Sequence, residues 1–480
     1  MKEVRIFHSH IEVTPYEKGD CPQIEKLMSK YDIVTHKSIP IAYYIEDNTL
    51  YLPRGVSITL LEKYFGGIPA VEFTPDKYSR IKKGVASFKP KSTIQENAIK
   101  FLCSEDDYAY TGRYSQFGLN LDTGDGKTYA TITSILKLKL KTIVITHQEK
   151  LKYQWIKTLD EMTTFPIENI CDISGSDVMD EIMSGDVKAE IYFVNHQTLQ
   201  AYAKEHGWKS IREFFKKIKV GIKVIDESHK FFQNIFMIDN FSNCFKTFYL
   251  TATFGRGDES EIRIYNRAFS SLVRYGEETY EAEEKRKHIK LIVVYFASRP
   301  NYNILPNVKS NYGFSAYKYI DYELSEENNS MMKVLFNILE QTRQLSGKTL
   351  VVSPKTDSVD KIADAIEDKM GLDVGVVYSK NSSETNNENL QKEVISSTIK
   401  SIGEGVDIKG LRVLINLEPI GGKNLASQLR GRLREYSADE DTYLFYPVDT
   451  TLPESTMLLK RILPTMKKKC KEIIFMKMNV

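Results

Sequence analysis

The chain has 480 residues, 41% hydrophobic content and a net charge of +2, which predicts two or three globular domains and excludes a disordered or strongly polyionic chain. This charge neither requires nor excludes a polyanionic partner, because a local basic stripe is enough to bind one. The five cysteines form no CxxC pair and no segment is apolar over the length of a membrane span, which argues against a zinc ribbon, a disulfide scaffold and a membrane protein.

Residues 1–88 are predicted to form a small α+β domain. Short apolar runs at 41–44 and 49–52 indicate two strands that are joined by a polar turn. Ser57 is a suitable N-cap for a helix that ends before Gly66. No pattern in this domain indicates catalytic chemistry.

Residues 89–280 are predicted to form the first of two parallel-sheet lobes. Apolar runs that are rich in β-branched residues and show little alternation are typical of strands buried on both faces of a parallel sheet. Such runs lie at 142–145, 191–194, 220–225 and 247–250. Amphipathic stretches such as 129–138 supply the helices between them.

A phosphate-binding loop is predicted in this first lobe. The stretch from Leu121 to Thr128 (LDTGDGKT) lies between a predicted strand and a predicted helix, which is the setting that such a loop needs. Gly124 and Gly126 let backbone amides turn toward an anion, Lys127 is predicted to reach the β- and γ-phosphates, and the Thr128 hydroxyl is predicted to hold Mg²⁺. The predicted nucleotide-binding residues here are Thr123, Gly124, Asp125, Gly126, Lys127 and Thr128. The usual first glycine is replaced by Leu121, and the alternative is an accidental glycine-rich turn.

An acidic pair follows about a hundred residues later. An apolar strand that ends in Asp226 and Glu227 places two carboxylates at the carboxyl edge of a sheet, where open α/β folds bind ligands. Asp226 is predicted to hold Mg²⁺, and Glu227 to orient and deprotonate an attacking water. The alternative is a surface acidic pair in a turn. His229 is either a structural histidine or a link to the second lobe.

Residues 281–456 are predicted to form a second α/β lobe. Strands are indicated at 349–352, 374–377 and 413–417, and a helix at 359–370. Before them, a charged helix or linker is predicted at 277–290 and a loop at 301–313.

Two arginines of this lobe, Arg432 and Arg434, are predicted to be catalytic. The lobe has no phosphate loop of its own, so paired arginines suggest positive charge supplied across a cleft, and the planar guanidinium matches phosphate oxygens. The alternative is a solvated basic helix face. Residues 457–480 are predicted to be a basic helical tail.

Over residues 90–450 the chain resembles a superfamily 2 helicase, and it is most similar to UvsW-type phage helicases, related viral DNA helicases and the excision-repair helicase group. Residues 92–98 (STIQENA) resemble the family's YQxxA element, whose glutamine reads adenine and here is Gln95. Residues 151–155 (LKYQW) resemble the LxxQW that follows motif Ia. The sequence Asp-Glu-Ser-His at 226–229 resembles a variant of the Walker B box.

Further segments resemble the later motifs of the family. Residues 191–199 resemble motif Ib, and residues 250–256 resemble motif III. Residues 395–398 and 404–407 resemble motif V, and residues 428–434 resemble motif VI. By this resemblance Gly405 and Asp407 lie near the ribose, and Thr398 lies near the nucleic-acid backbone. The family commonly carries an accessory domain ahead of the first lobe, and Leu52-Pro-Arg-Gly55 is compatible with one.

The chain also departs from the family pattern. His147 stands where motif Ia usually has proline, and Asn195 stands where motif Ib usually has threonine. In the QxxGRxxR spacing of motif VI the last position is Glu435, and Arg434 lies one step early. The role of Arg434 is therefore less secure than that of Arg432.

The resemblance implies two tandem RecA-like lobes, with an N-terminal α+β accessory domain and a basic C-terminal helix, that form a motor driven by ATP and Mg²⁺. DNA, whether single-stranded, duplex or branched, is the expected substrate, and proteins of replication, recombination or nuclease action are the expected partners, with no membrane partner. The alternatives are an RNA helicase, a translocase subunit of a restriction-type complex, and a non-catalytic scaffold, which the intact Lys127, Asp226 and Glu227 disfavour. A cytoplasmic location is expected, in the host if the protein is from a phage or virus, because the sequence begins without an apolar leader.

Overall fold

The computed structural model divides the chain into two units, Met1–Ala282 and Glu283–Val480. It describes residues 2–32, 35–66, 70–82, 84–121, 125–228, 230–251, 259–276, 287–299, 304–311, 313–325, 329–402, 406, 408–437, 439–467 and 470–480. The predicted domain boundaries after residues 88, 280 and 456 stay predictions.

The first unit contains strands and helices with the following bounds. Its strands are β1 (Glu3–Ile6), β2 (His10–Thr14), β3 (Ser29–Asp32), β4 (Lys37–Pro40), β5 (Tyr44–Glu46), β6 (Thr49–Pro53), β7 (Ala70–Glu72), β8 (Gln116–Asn120), β9 (Thr142–Thr146), β10 (Ile170–Ile173), β11 (Ile191–Asn195), β12 (Ile222–Ile225), β13 (Lys246–Thr251) and β14 (Val273–Gly276). Its helices are α1 (Pro22–Leu27), α2 (Ile58–Phe65), α3 (Thr93–Cys103), α4 (Lys127–Leu138), α5 (Glu149–Met162), α6 (Ser176–Ser184), α7 (His196–His206), α8 (Trp208–Ile218), α9 (Phe232–Asn240) and α10 (Glu259–Ala268).

The second unit has its own set. Its strands are β15 (Ile289–Phe296), β16 (Lys309–Ser310), β17 (Gly313–Phe314), β18 (Lys348–Ser353), β19 (Val374–Val377), β20 (Val394–Thr398), β21 (Leu411–Asn416), β22 (Thr442–Asp449) and β23 (Glu472–Lys477). Its helices are α11 (Leu305–Val308), α12 (Ala316–Glu323), α13 (Ser330–Thr342), α14 (Thr356–Met370), α15 (Ser383–Asn389), α16 (Lys423–Arg430) and α17 (Pro453–Lys467).

The N-terminal domain is built on a five-stranded sheet in the order β5-β6-β2-β1-β7. The predicted hairpin is present, since β5 and β6 pair antiparallel around Asp47 and Asn48, whose φ angles of 48° and 55° give a turn that matches the twist of a hairpin. Its first strand begins at Tyr44 rather than at Ile41, because the Ile41 N–H bonds to the carbonyl of Met28 instead of to the sheet.

The N-terminal domain packs directly on the first lobe. One apolar cluster contains buried residues of the five-stranded sheet together with residues from one face of the lobe's own sheet. Helix α2 follows Ser57 and ends at Gly66 in a left-handed conformation (φ 80°), as predicted. Just before it, the Gly55 N–H donates to the carbonyl of Ala268 on α10 at 3.2 Å. The domain is therefore joined to the lobe by apolar burial and by backbone contact.

The first lobe is a parallel sheet of seven strands in the order β10-β11-β9-β12-β13-β8-β14. The four predicted strands at 142–145, 191–194, 220–225 and 247–250 correspond to β9, β11, β12 and β13. Neighbouring residues of a strand enter different cores, as Val144 packs in one apolar cluster while Ile143 and Ile145 pack in another. Burial on both faces explains why these strands are continuously apolar in sequence.

The second lobe repeats the topology of the first. Its parallel sheet has the order β19-β20-β18-β21-β22-β15-β23. Numbered from its own first strand, each lobe reads 3-4-2-5-6-1-7. The two sheets thus support the predicted pair of RecA-like lobes, although the sequence shows no repeat.

The C-terminal segment differs from the predicted helical tail at 457–480. Helix α17 is present, with Leu459 and Ile462 buried, but Glu472–Lys477 forms β23 and pairs in parallel with β15. The run EIIFMK has strand-forming side chains, and the open edge of β15 supplies the hydrogen bonds that a helix would otherwise provide.

The structure also differs from two predictions for the stretch of sequence between 277 and 313. In the predicted loop at 301–313, the described residues form α11 and the hairpin of β16 with β17. In the predicted charged helix or linker at 277–290, residues 277–286 lie outside the described part and Ile289 begins β15. None of the helices that the structure describes is long and apolar enough to cross a membrane.

Candidate nucleotide site

Lys127 and Thr128 lie in the first turn of α4, directly after the phosphate loop. Gly126 precedes them at the N-cap with φ of 84°, a left-handed conformation that glycine adopts without strain. Within the described part of the chain no side chain caps this helix end, so the N–H groups of its first turn are available to an anion. Lys127 Nζ donates a hydrogen bond to the carbonyl of Leu121 at 2.7 Å, so its ammonium is tied to the residue that ends the described part of the chain before the loop.

Gln95 contacts the phosphate loop from α3. The helix begins where the Ser92 hydroxyl accepts a hydrogen bond from the Gln95 backbone N–H at 3.3 Å. Gln95 Nε2 donates to the Asp125 carbonyl at 3.0 Å, and Gln95 Oε1 accepts from the Lys91 N–H at 2.9 Å. A Cβ atom on Gly126 would lie 2.3 Å from Gln95 Nε2, so this contact requires glycine. The predicted role of Gln95 in reading adenine stays a prediction.

Asp226 and Glu227 follow β12 at the carboxyl edge of the first sheet, as predicted. Glu227 has φ of 51°, a left-handed conformation that is strained for a residue with a side chain and that is typical of functional sites. Burial raises the pKa of Asp226 and the Glu227 carboxylate raises it further, whereas the Trp155 hydrogen bond and the Lys127 ammonium lower it. A cation placed here stabilises the ionised carboxylate against this burial.

Trp155 fixes the orientation of Asp226. Its indole N–H donates to Asp226 Oδ2 at 2.8 Å, and the two side chains are only 2% and 8% exposed. The other oxygen, Oδ1, accepts from the Glu227 backbone N–H at 3.0 Å. With one fixed donor on each oxygen the carboxylate is preorganised to bind a cation.

The two residues that depart from the family pattern, His147 and Asn195, lie at the carboxyl ends of β9 and β11. Thr146 Oγ1 donates to Asn195 Oδ1 at 2.6 Å, which joins the ends of β9 and β11. Asn195 Nδ2 donates to Glu149, the first residue of α5. His147 lies against Phe231, with ring centroids 5.7 Å apart. Burial lowers the pKa of His147, which keeps this imidazole neutral at neutral pH.

In the second unit, Arg432 connects two predicted motifs. It is half-buried just after α16, and its Nη1 donates to the carbonyl of Val406 at 2.6 Å. Val406 lies inside the 404–407 segment, so the structure brings the predicted motifs V and VI into contact. Arg434 is exposed, which distinguishes it from the anchored Arg432.

The first unit brings together much of the predicted site. The described members are Gln95, Asp125, Gly126, Lys127, Thr128, Asp226 and Glu227. Predicted residues outside the described part of the chain are Thr123, Gly124, His229, Gly405 and Asp407.

The donor set fits a metal that is held mainly by a nucleotide. Residues in the described ranges form no cluster of three or more His, Cys, Asp or Glu side chains that could hold a metal ion alone. The buried carboxylate of Asp226, with one donor fixed on each oxygen, fits a Mg²⁺ ion whose shell is completed by phosphates and waters. The predicted contribution of the Thr128 hydroxyl stays a prediction.

Two family models match this chain. Residues 89–256 match the type III restriction enzyme, res subunit, and residues 330–435 match the helicase conserved C-terminal domain, which together span more than half of the chain. The chain is a superfamily 2 helicase. It is therefore an ATP-hydrolysing enzyme that remodels nucleic acid. No curated protein matches the chain.

Solved structures share the fold of the helicase at low sequence identity. A fragment described as an HsdR subunit of a type I restriction enzyme from Vibrio vulnificus YJ016 matches 80% of this chain and 68% of its own, with 14% identity and a TM-score of 0.55. A Dbp5 variant from S. cerevisiae bound to Gle1 and IP6 matches 89% and 93%, with 12% identity and a TM-score of 0.53. T4 UvsW matches 99% of both chains at 15% identity, but its TM-score of 0.36 is too low to support an argument.

Sequence reasoning found the acidic pair of the helicase but missed the role of Trp155. The LKYQW segment indicates only a family resemblance, and nothing in its spacing connects it to Asp226. A signal was available, because a buried indole N–H is a donor that usually finds a partner, and the carboxylates at the end of β12 are acceptors at the same sheet edge.

The hydrogen bond from Trp155 predicts a specific effect on metal use. Trp155→Phe keeps an aromatic ring but removes the donor to Asp226. We expect the divalent-metal concentration for half-maximal ATP hydrolysis to rise about tenfold, because loss of a hydrogen bond that orients a metal ligand typically weakens metal binding by that factor or more. Titrating the divalent metal while measuring steady-state ATPase activity gives this half-maximal concentration.

The matched control is Trp208→Phe, which changes the other tryptophan of the chain. Trp208 lies on α8 and stacks on Phe241 with ring centroids 5.6 Å apart, and it has no hydrogen bond to the acidic pair. Equal metal dependence in the two variants would show that the Trp155 contact does not orient a metal ligand.

Proposed function

We propose that the helicase couples hydrolysis of ATP with Mg²⁺ to the unwinding or remodelling of DNA in replication, recombination or repair. The observation that carries the proposal is the convergence of Lys127, Asp226 and Glu227 at one sheet edge, with Asp226 oriented by Trp155. The choice of DNA is supported by the LKYQW segment and the Asp-Glu-Ser-His box, which resemble those of DNA helicases.

Each predicted site residue of the first unit has its own chemical role in this proposal. Lys127 and the first-turn N–H groups of α4 neutralise phosphate charge. Thr128 and Asp226 would hold Mg²⁺, which when bound would supply positive charge for the phosphates. Glu227 orients the attacking water and accepts its proton. Gln95 reads adenine, and Thr123, Gly124, Asp125 and Gly126 complete the loop around the phosphates.

The second unit is proposed to act on the same nucleotide during turnover. Arg432 stabilises the negative charge of the transition state, and its anchoring to the Val406 carbonyl fixes the direction of the guanidinium. Gly405 and Asp407 lie near the ribose in this proposal, and Arg434 adds a second, exposed cation.

One other function has specific support. A translocase subunit of a restriction-type complex is supported by the res-subunit model over residues 89–256. The RNA helicase stays an alternative prediction from the sequence. The cytoplasmic location, the phage or viral origin and the partner proteins of replication, recombination or nuclease action stay predictions.

The direct test compares stimulation of ATPase activity by single-stranded DNA, branched DNA and RNA of equal length. We expect the two DNA substrates to stimulate turnover strongly and RNA weakly. Glu227→Gln serves as the control, since it lacks the base and should bind ATP and DNA without turnover. Stimulation by RNA alone contradicts the DNA assignment, and copurification with a nuclease subunit indicates a restriction-type complex.

The role of the second unit predicts unequal effects of its two arginines. Arg432→Ala should lower the turnover number about 10³-fold with little change in ATP affinity, because the interaction is made in the transition state. Arg434→Ala removes the same charge from an exposed position and should lower turnover much less. Single-turnover kinetics with an independent ATP-binding measurement separates the two quantities. Equal losses of affinity and turnover in Arg432→Ala would disprove the assigned role.

A further inference from the structure

We propose that Phe231 is a positioning residue that holds the loop of Glu227 in the conformation needed for hydrolysis. This inference rests on the proposed role of Glu227 as the base that activates water. The loop starts with the acidic pair directly after β12 and ends at Phe231, and α9 begins at the next residue. The ring of Phe231 contacts side chains that follow two other strands of the same sheet. The far end of the loop is therefore fixed to the sheet, as Trp155 fixes its near end.

The conformation of Glu227 has to be maintained by its surroundings. Its φ of 51° is left-handed, which is strained for a residue that has a Cβ atom. Such a conformation persists only where the neighbouring structure over-determines it. A base must also stay within hydrogen-bond reach of the water that it deprotonates. The loop on both sides of Glu227 must therefore be held in place.

Backbone hydrogen bonds shape the middle of the loop. The Ser228 N–H donates to the Leu250 carbonyl of β13 at 3.0 Å. The Lys230 N–H donates back to the Glu227 carbonyl at 3.0 Å, which closes a turn of four residues. The direction in which this turn leaves the sheet then depends on how the next residue, Phe231, is held.

Two imidazole rings hold Phe231. The His196 ring stacks on it with centroids 4.2 Å apart and an interplanar angle of 13°, and the His147 ring lies 5.7 Å away at 31°. Stacked aromatic rings stabilise each other beyond the area that they bury. His147 follows β9 and His196 follows β11, which are the next two strands beside β12. The Phe231 ring therefore ties the acidic loop to the ends of both strands.

The two imidazoles are themselves held and uncharged. Asn234 Nδ2 of α9 donates to His196 Nδ1 at 2.9 Å, and Gln197 Nε2 donates to the His147 carbonyl at 3.3 Å. Burial lowers the pKa of His196 to about 4, and burial also lowers the pKa of His147. Both rings are therefore neutral at neutral pH. The departure from the family pattern at His147 thus supplies one of the two ring contacts.

The test compares Phe231→Leu with Phe231→Tyr in the full chain. Leucine keeps an apolar side chain but removes the ring, whereas tyrosine keeps the ring. We expect Phe231→Leu to lower the turnover number for ATP roughly tenfold, because misplacing a catalytic group by about 1 Å can cost about 10²-fold. The KM for ATP and the half-maximal metal concentration should stay close to wild type, since Lys127 and Asp226 keep their contacts. Phe231→Tyr should keep most of the turnover, and steady-state ATPase kinetics measures all three quantities.

The matched control is Phe245→Leu. Phe245 is half-buried like Phe231 and also contacts two rings, Tyr78 at 5.3 Å and His8 at 6.3 Å. It directly precedes β13, at the opposite edge of the same sheet from the acidic pair. The control should keep wild-type turnover, and thermal unfolding checks that each variant is folded. Equal turnover in the two leucine variants, or a loss in Phe231→Tyr as large as in Phe231→Leu, overturns the proposal.

A double-mutant cycle shows whether Phe231 acts through Glu227. Single-turnover hydrolysis is measured for Glu227→Gln with and without Phe231→Leu. If the ring acts by positioning the base, Phe231→Leu should change the residual rate of Glu227→Gln little, because the effects of coupled residues do not add. The same loss in both backgrounds would show that Phe231 acts independently of Glu227.

The outcomes separate this inference from the proposed function. If Glu227→Gln hydrolyses ATP as fast as the wild type, the proposed role of Glu227 fails and the inference fails with it. If Glu227→Gln is inactive while Phe231→Leu is as active as Phe245→Leu, only the positioning role of Phe231 fails and the proposed function stands.

Discussion

The shared direction of the strands in the first lobe is the constraint on which the site depends. Because every strand of this sheet is parallel, the loops after β8, β9, β11 and β12 emerge at one edge. Strands β8 and β12 flank β13, so the phosphate loop and the acidic pair begin roughly 10 Å apart. Lys127 and Asp226, distant in sequence, thereby lie close enough that the Lys127 ammonium lowers the pKa of Asp226. The hydrogen bond from Trp155 then fixes the carboxylate within that space.

The two lobes use one topology for different chemistry. The phosphate loop follows the first strand of the first lobe, and in the second lobe the equivalent strand is β15. There the chain continues with Ser298, whose N–H and hydroxyl donate to Asp449 at the end of β22 at 3.2 and 2.6 Å. The Asp449 carboxylate thus accepts the Ser298 N–H just after the strand that corresponds to β8 of the first lobe. In the same lobe the Val406 carbonyl accepts a hydrogen bond from Arg432 Nη1.

The sequence predicted those elements whose conformation is determined by the residues of the element itself. Continuous β-branched runs identified β9, β11 and β13, and the turn at Asp47 and Asn48 was visible as a hairpin signal, because burial on two faces and left-handed turns restrict residue type. The sequence did not predict the edge strand β23, because its pairing partner β15 lies about 180 residues away in the chain. The lysine-rich segment before β23 favoured a helix instead. The contacts of Trp155 with Asp226 and of Gln95 with Asp125 were invisible for the same reason, as they depend on tertiary placement.

The central claim is that Lys127 and Asp226 form one metal–nucleotide site. Calorimetric titration of ATP into Glu227→Gln, with and without Mg²⁺, tests it most directly because binding is observed without turnover. We expect one ATP per chain, a strong dependence of ATP binding on Mg²⁺, and loss of binding when Lys127→Ala is added to the variant. ATP binding that is unaffected by Mg²⁺ and by Lys127→Ala would show that Lys127 and Asp226 do not form such a site.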